Sequence, residues 1–287
     1  MQENVILSRF CAYRAGGPAR YYLKPENRAE LKAGLAQAQN NQCPVLILGA
    51  GSNILVADSG FKGLAIHLKD NFAELEINGR EAIAGAGCPL SRLVWATVGR
   101  GRRGLQRLAG IPGTVGGAVY MNAGAYESQV ADCLAWVESM DFNGRENRYQ
   151  AADLAFGYRS SRFGREPEVI LRAGFHLAAG EPDELRAEAG GILSRRLARQ
   201  PLEWPSCGSV FKRPTGQYAG QLIEGLGLKG LACGPARVSE KHANFIVNTG
   251  AATATEIHAL IRQVQKRVQQ ERGVTLEPEV RLVGFDG

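Results

Sequence analysis

A glycine loop near the N-terminus has the composition of a phosphate-binding turn. The apolar run PVLI (residues 44–47) leads into LGAGSNILV (residues 48–56). A strand followed by G-x-G-x-x-G and a helix would indicate a dinucleotide site of the Rossmann type. Here Ile54 stands at the third glycine position, and branched apolar residues and an Asp-Ser-Gly turn follow it instead of a helical pattern. The pattern excludes a Rossmann loop but still predicts a close approach of the backbone.

A second glycine cluster, AGIPGTVGGAVYMNAGA (residues 109–125), is the stronger signal. Ile111, Pro112 and Gly113 form a turn, and Thr114 can open a helix whose first turn exposes free N–H groups. Gly116, Gly117 and Ala118 leave that turn without bulk, so a phosphate could bind to the backbone itself. A tightly packed structural turn explains the same glycines. Two such loops, with Asn53 and Asn122 as polar partners, favour a dinucleotide between them.

Both loops belong to a series of motifs that follow one another along the chain. The others are FGYRSS from Phe156, PSCGSVFK from Pro205, VSEKHANFIVN from Val238 and LEPEVR from Leu276. Together they resemble the UDP-N-acetylenolpyruvoylglucosamine reductase family over residues 13–284. The short spacing from Arg159 to Ser209 resembles the compact subtype of that family. The chain departs from the family pattern at Cys11-Ala12, Glu127 and Pro235.

This resemblance implies a flavoenzyme. The expected fold is α+β, with an FAD-binding fold of the vanillyl-alcohol-oxidase type in two subdomains and a C-terminal α/β substrate-binding domain. The implied reaction reduces the enolpyruvyl group of UDP-N-acetylglucosamine enolpyruvate to UDP-N-acetylmuramate, with noncovalent FAD and with NADPH as co-substrate. The implied FAD contacts are Gly49, Ala50, Gly51, Ser52, Asn53, Ile111, Pro112, Gly113, Thr114, Gly116, Gly117 and Gly124.

The resemblance also implies which residues carry the reaction. Hydride addition drives negative charge into the substrate carboxylate, and Arg159 resembles the residue that stabilises that charge. Glu279 resembles its partner, and a carboxyl group beside a forming dianion must hold a proton to donate a hydrogen bond. Ser209 resembles the general acid, with Lys212 close enough to stabilise its alkoxide. Lys212 and Arg281 are expected to steer the anionic substrate.

Other interpretations remain open beside this one. Without the resemblance, Arg159 would be interpreted as one partner of a surface ion pair, Glu279 as a strand-edge carboxylate and Ser209 as a turn residue. Another FAD-linked oxidoreductase of the same fold is an alternative, although residues 49–60 contain no histidine for covalent FAD attachment. A nucleotide- or nucleic-acid-binding module without catalysis is a second alternative. Cys207 has no base motif to make it a nucleophile and is expected to be a packing residue.

Composition and charge narrow the class of protein further. The 287 residues carry a net charge of +6, but the basic residues are dispersed, which argues against nucleic acid and fits an enzyme for anionic small molecules. No apolar run reaches the ~18 residues of a membrane span and no signal peptide is recognisable, so a cytoplasmic location is expected. The six scattered cysteines and four histidines lack metal-ligand spacing. No oligomeric state follows from the sequence.

The elements that must position these residues are visible in the pattern. Helices are expected from Asn27, from Ser91, over residues 183–200 and from Thr253, where Thr253 and Glu256 make a capping box and Gly273 ends the helix. The buried stripe of the third should be Leu185, Ile192, Leu193 and Leu197. Strands are expected at residues 45–48, 63–68, 72–77, 169–177, 245–248 and 279–283. The predicted domains are residues 1–68, 69–199 and 200–271, with 272–287 returning to the first.

Overall fold

The computed structural model describes residues 1–285 and has the mixed α+β content expected from the sequence. The helices are α1 (Arg28–Asn40), α2 (Leu90–Gly99), α3 (Val115–Tyr120), α4 (Pro182–Arg199), α5 (Ala219–Glu224) and α6 (Ala254–Arg272). The strands are β1 (Gln2–Ile6), β2 (Pro18–Leu23), β3 (Val45–Leu48), β4 (Ile54–Val56), β5 (Phe61–His67), β6 (Leu75–Asn78), β7 (Glu81–Gly85), β8 (Arg102–Arg103), β9 (Gly124–Ala125), β10 (Ser128–Gln129), β11 (Leu134–Met140), β12 (Glu146–Gln150), β13 (Val169–His176), β14 (Ala178–Ala179), β15 (Ala232–Cys233), β16 (Ala236–Val238), β17 (Ile246–Asn248) and β18 (Arg281–Val283).

The chain forms two compact units. The first contains Met1–Gln2, Tyr21–Ala50 and Gly63–Arg196. The second contains Glu3–Arg20, Gly51–Lys62 and the chain from Leu197 onward. Each unit is therefore discontinuous in sequence, and the first glycine loop contributes Gly49 and Ala50 to one unit and Gly51, Ser52 and Asn53 to the other.

The first unit is built on an antiparallel sheet with the strand order β12-β11-β13-β7-β6. Helix α3 packs against β7 and β13 of this sheet. Strands β3 and β5 pair in parallel, with Val45 opposite Leu64. The leucines of α1, the inner residues of β5, β7 and β13, and the apolar side chains of α2 share one buried cluster.

The second unit joins a small antiparallel sheet, β15-β16-β17, to the long helix α6. Ile257, Leu260, Ile261, Val264 and Val268 of α6 are fully buried, as their helical spacing predicts. Strand β18 near the C-terminus pairs in parallel with β4, which directly follows the first glycine loop, and Arg281 lies opposite Ile54. Residues 281–283 are thereby fixed beside that loop.

Helix ends follow the local signals that the sequence carries. The Asn27 side chain accepts a hydrogen bond from the Glu30 N–H at 2.9 Å and begins α1. Thr253 and Glu256 form the expected capping box, and α6 ends at Gly273 in the left-handed region with φ of +68°. These predictions are confirmed.

Three local predictions were wrong. Leu197 of α4 is 53% exposed, and the buried position is Arg196, which continues the spacing of Leu185, Ala189 and Ile192. Strand β6 begins at Leu75 because residues 70–72 form a short 3-10 turn. The last strand begins at Arg281, since Glu279 and Val280 lie in a bend.

Within residues 1–285, no helix is both long enough and apolar enough to cross a membrane. The same residues contain no group of three His, Cys, Asp or Glu side chains arranged to hold a metal ion. All six cysteines are free thiols.

Candidate active site

Ser209 lies in a short extended segment that is held from two sides within the second unit. On one side, Ser209 bridges to Phe245, and the Val210 N–H donates to the Asn244 carbonyl at 2.8 Å. On the other side, the Glu279 N–H donates to the Val210 carbonyl at 2.7 Å. The backbones of Ser209 and Glu279, seventy positions apart, are therefore joined through one residue.

The first glycine loop is attached to the same assembly. The Asn53 side-chain amide donates to the Glu279 carbonyl at 3.1 Å, and the Arg281 N–H donates to the Asn53 carbonyl at 3.0 Å. Gly51 has φ of +59°, and a β-carbon there would lie 1.9 Å from the Phe10 carbonyl oxygen. Gly51 is therefore required by packing within the protein itself, whatever else approaches the loop.

Asn244 is a positioning residue that the sequence reading passed over. Its Oδ1 accepts from the Phe211 N–H at 3.1 Å, and its Nδ2 donates to the Phe211 carbonyl at 2.9 Å. One buried side chain thus satisfies both backbone groups of a residue close to Ser209. The available signal was an asparagine directly before the apolar run FIV (residues 245–247).

The two proposed substrate cations lie on this assembly as well. Lys212 donates through its N–H to the Glu277 carbonyl at 2.9 Å, and its ammonium group pairs with the Glu277 carboxylate. Glu277 is 68% exposed at its side chain, so this ion pair is weak enough for an anionic ligand to replace it. Arg281 is exposed at the first position of β18.

Arg159 belongs to the first unit. Its φ of +52° is unusual for a residue other than glycine, and it lies in a tight turn where Gly157 and Ser160 exchange backbone hydrogen bonds. The Arg159 guanidinium donates to the Gly124 carbonyl at 2.8 Å. The buried Asn122 amide donates to the Gly157 carbonyl at 3.1 Å. The turn that carries Arg159 is thus fixed to the end of the second glycine cluster, and its backbone strain is of the kind found at functional sites.

The sequence predicted free N–H groups at the start of α3, and this prediction was wrong for the first two residues of the helix. The Val115 N–H donates to the Cys88 carbonyl at 2.8 Å, and the Gly116 N–H donates to the Ala86 carbonyl at 2.9 Å. Among residues 1–285, the Gly117 N–H donates only to the Thr114 hydroxyl, at 3.5 Å, which is a long hydrogen bond. An anion could therefore accept a hydrogen bond from the Gly117 N–H, and only this long bond to Thr114 would be lost.

The glycines of the two loops divide into packed and open positions. A β-carbon on Gly116 would lie 2.8 Å from Cβ of Ala86, and one on Gly49 would lie 2.3 Å from Oγ1 of Thr114. These two glycines are needed for packing, and the second contact joins the two loops within the first unit. A β-carbon on the exposed Gly117 would meet only Oγ1 of Thr114, at 3.7 Å. No packing contact requires a glycine at position 117, which fits a position kept small for a ligand.

Arg196 is a second residue that sequence reasoning missed. It is 9% exposed, and its Nε has no hydrogen-bond partner in the described part of the chain. Its side chain lies against Gly110, immediately before the turn formed by Ile111, Pro112 and Gly113. A buried guanidinium beside this turn and an open glycine at position 117 both suit a cofactor that carries phosphate groups.

Cys207 is buried in the second unit, where its Sγ contacts the Ile54 carbonyl at 3.2 Å. Burial raises the pKa of the Cys207 thiol far above its ordinary value. Because a nucleophilic cysteine must be a thiolate, these surroundings make Cys207 a packing residue.

Comparisons with known protein families match both parts of the chain. Residues 200–283 match the UDP-N-acetylenolpyruvoylglucosamine reductase C-terminal domain, and residues 19–148 match an FAD binding domain. The chain is similar to curated UDP-N-acetylenolpyruvoylglucosamine reductases from several bacteria. The relative from Lactobacillus delbrueckii subsp. bulgaricus is 42% identical, covering 99% of this chain and 95% of the relative. The relative from Heliobacterium modesticaldum is also 42% identical, covering 100% and 91% respectively.

A solved structure gives the same result in three dimensions. The crystal structure of UDP-N-acetylenolpyruvylglucosamine reductase from Thermus caldophilus matches with a TM-score of 0.85 and 36% sequence identity. The match covers 98% of each chain. It confirms the α+β fold with an FAD-binding domain and a C-terminal domain.

Proposed function

The chain belongs to the UDP-N-acetylenolpyruvoylglucosamine reductase family, and we propose that Arg159, Ser209 and Glu279 carry out its reaction. The enzyme is an FAD-dependent oxidoreductase of peptidoglycan precursor synthesis. Its substrate is the enolpyruvyl ether of UDP-N-acetylglucosamine, NADPH is the reductant, and the cytoplasm is the proposed compartment. When bound, FAD supplies a hydride to the terminal carbon of the substrate double bond.

Arg159 and Glu279 stabilise the charge that this addition creates. The electron pair of the double bond moves into the carboxylate, which becomes an enediolate-like group with two negatively charged oxygens. A guanidinium holds two such oxygens at once, and a protonated Glu279 donates one more hydrogen bond. The left-handed backbone of Arg159 supports this role, because strain of this kind persists only where the surroundings fix it.

Ser209 then delivers a proton to the other carbon of the former double bond. The resulting alkoxide is a strong base and needs a cation nearby, and we assign that role to Lys212. A proton from solvent restores the serine hydroxyl. One hydride and one proton are thereby added across the double bond, and the saturated lactyl ether is formed.

One observation carries this assignment. The Val210 carbonyl accepts a hydrogen bond from the Glu279 N–H, and the Val210 N–H donates to the Asn244 carbonyl. Ser209 and Glu279 are therefore fixed on one small hydrogen-bonded assembly within the second unit. Groups that stabilise a transition state must be held rigidly before the reaction begins. The direct test is NADPH oxidation measured with and without the enolpyruvyl sugar nucleotide. Oxidation that does not depend on this substrate would contradict the proposal.

The domain roles follow as part of the proposal. We assign residues 1–68 and 69–199 to FAD binding and residues 200–271 to the substrate, with 272–287 returning to the first segment. The parallel pairing of β18 with β4 supports that return, although the last two residues lie outside the described part of the chain. The glycine loops at residues 49–53, 111–114 and 116–117, together with Gly124, are the proposed FAD contacts.

Gly117→Val should weaken FAD binding by at least about tenfold, which corresponds to about 1.4 kcal/mol. The branched side chain would fill the open space beside the weakly bonded Gly117 N–H. Fluorescence titration with FAD measures the effect. Gly191→Val is a matched control, because Gly191 is an exposed helical glycine with nothing within 4 Å of a β-carbon. Equal FAD affinity in both variants would make Gly117 a structural residue.

Asn244→Leu should slow the proton-transfer step and cost roughly 1–3 kcal/mol of stability, because two backbone groups of Phe211 lose their buried partner. Asn244→Asp keeps the acceptor for the Phe211 N–H and should recover part of the rate. Stopped-flow absorbance separates the two half-reactions, and only flavin reoxidation by the substrate should slow. A folded Asn244→Leu variant with normal reoxidation would remove Asn244 as a positioning residue.

A further inference from the structure

Arg196 is a charged residue that is buried and whose Nε lacks a hydrogen-bond partner among the described residues. It is one of the buried residues on α4, at the position that the spacing of Leu185, Ala189 and Ile192 reserves for the core. Its Nε is buried and makes no hydrogen bond to any described residue. Nor does any carboxylate of residues 1–285 form an ion pair with it. A charged group in such surroundings is strongly destabilising unless something neutralises it.

The charged and titratable neighbours of Arg196 do not supply that neutralisation. They are the phenol of Tyr126 and a second cation, Arg159. The pKa of Arg196 is lowered chiefly by burial; Tyr126 raises it, and the smaller repulsion from Arg159 lowers it. Residues 1–285 therefore leave this positive charge without a counter-ion, close to the residue that we place at the substrate carboxylate.

The place of the side chain points to the cofactor. A β-carbon built on Gly110 would lie 2.9 Å from Cδ and 3.1 Å from Nε of Arg196, so the guanidinium stem lies directly on the Gly110 backbone. Gly110 has φ of +78° and leads into the turn at Ile111, Pro112 and Gly113, which are proposed FAD contacts. Position 196 falls between the two regions that match known families, residues 19–148 and 200–283.

We propose that Arg196 binds an anionic oxygen of FAD, which supplies the counter-charge that the described part of the chain does not provide. This inference rests on FAD binding by the chain and extends it to a residue outside the glycine loops. FAD offers such oxygens in its diphosphate and, after reduction, in its ring. A charge-assisted hydrogen bond from a desolvated guanidinium is among the strongest contacts that a side chain makes with either group.

The test compares Arg196→Met with Arg195→Met. Arg195 is the adjacent residue on α4, is exposed and stacks over the Tyr126 ring at 4.9 Å, so its removal takes the same charge from the same helix turn. We expect Arg196→Met to raise the FAD dissociation constant by about 10- to 100-fold. Arg195→Met should change it by less than about threefold. Arg196→Lys should fall between wild type and Arg196→Met, because it keeps the charge and loses the planar donor group.

A second measurement separates cofactor binding from folding. Arg196→Met should raise or preserve the thermal midpoint of the FAD-free protein, because an apolar side chain replaces an uncompensated buried charge. The midpoint potential identifies the oxygen: a lowered potential assigns it to the reduced ring, and an unchanged potential assigns it to the diphosphate.

Three results would overturn the proposal. The first is FAD affinity in Arg196→Met equal to that of Arg195→Met. The second is a thermal midpoint of the FAD-free Arg196→Met protein that lies below that of the FAD-free wild type, by enough to account for the lower FAD affinity. The third is normal FAD affinity with a raised KM for the UDP-sugar alone, which would assign the anion to the substrate. FAD binding by the wild-type protein is measured in the same titration, so failure of the cofactor assignment itself would be recognised separately.

Discussion

Ser209→Ala should leave the reduction of the flavin by NADPH almost unchanged and slow its reoxidation by the enolpyruvyl substrate by about 10²–10⁴-fold. Hydride transfer from NADPH needs no proton from Ser209, whereas the enediolate-like group formed from the substrate needs one to become the saturated lactyl ether. The Ser209 backbone is held by Phe245 and by the bonds of Val210, so loss of the hydroxyl leaves the segment in place. Stopped-flow absorbance of the flavin follows both phases.

Two further variants sharpen this experiment. Ser209→Cys should recover part of the reoxidation rate, because a thiol gives up its proton more readily than a hydroxyl. Ser206→Ala, earlier in the same segment, serves as the matched control and should react normally in both phases. If Ser209→Ala slowed both half-reactions equally, Ser209 would be a positioning residue and the general acid would have to be sought elsewhere.

Glu279→Ala should reduce turnover by about 10²–10³-fold, the usual effect of removing one preorganised donor to a developing negative charge. Glu279→Gln should retain more activity than Glu279→Ala, because an amide keeps the shape of the side chain and still donates. The backbone N–H and carbonyl of Glu279 are bonded to Val210 and Asn53, so neither substitution removes these bonds. Steady-state kcat with saturating NADPH and substrate is the measurement.

The control for this series is Glu271→Ala. Glu271 is an exposed carboxylate near the end of α6 whose pair with Arg267 is of the solvent-exposed type that contributes little. Its removal should leave kcat within about twofold of wild type. Turnover of Glu279→Ala equal to that of Glu271→Ala would exclude Glu279 from the mechanism.

Features encoded over a few neighbouring residues were predictable from the sequence. The caps at Asn27 and Thr253, the end of α6 at Gly273 and the buried stripe of α6 depend on hydrogen bonds and spacing within one turn. The family and its reaction were recognisable for a different reason. The motifs around the proposed site occur in one fixed order along the chain, and the matched family models and relatives confirm that resemblance.

Features that depend on distant segments were not predictable. Hydrophobicity predicted Leu197 as the last buried residue of α4, yet that position belongs to Arg196, because helical spacing decides which face is buried. The first N–H groups of α3 looked free, but the carbonyls of Ala86 and Cys88 take them. No local pattern indicates which remote carbonyl will arrive at a helix end.

The sequence by itself determined most element types and the caps of α1 and α6, because these depend on residue types at short spacing. The order of the motifs along the chain determined the family, and the resemblance to that family made Arg159, Ser209 and Glu279 candidates. Only the tertiary structure decided that Ser209 and Glu279 share Val210, that Asn244 holds Phe211 and that Arg196 is buried with no counter-ion among residues 1–285. These are contacts between segments far apart in the chain. Their free energy depends on burial and on which polar groups remain unsatisfied, and both quantities exist only once the chain has folded.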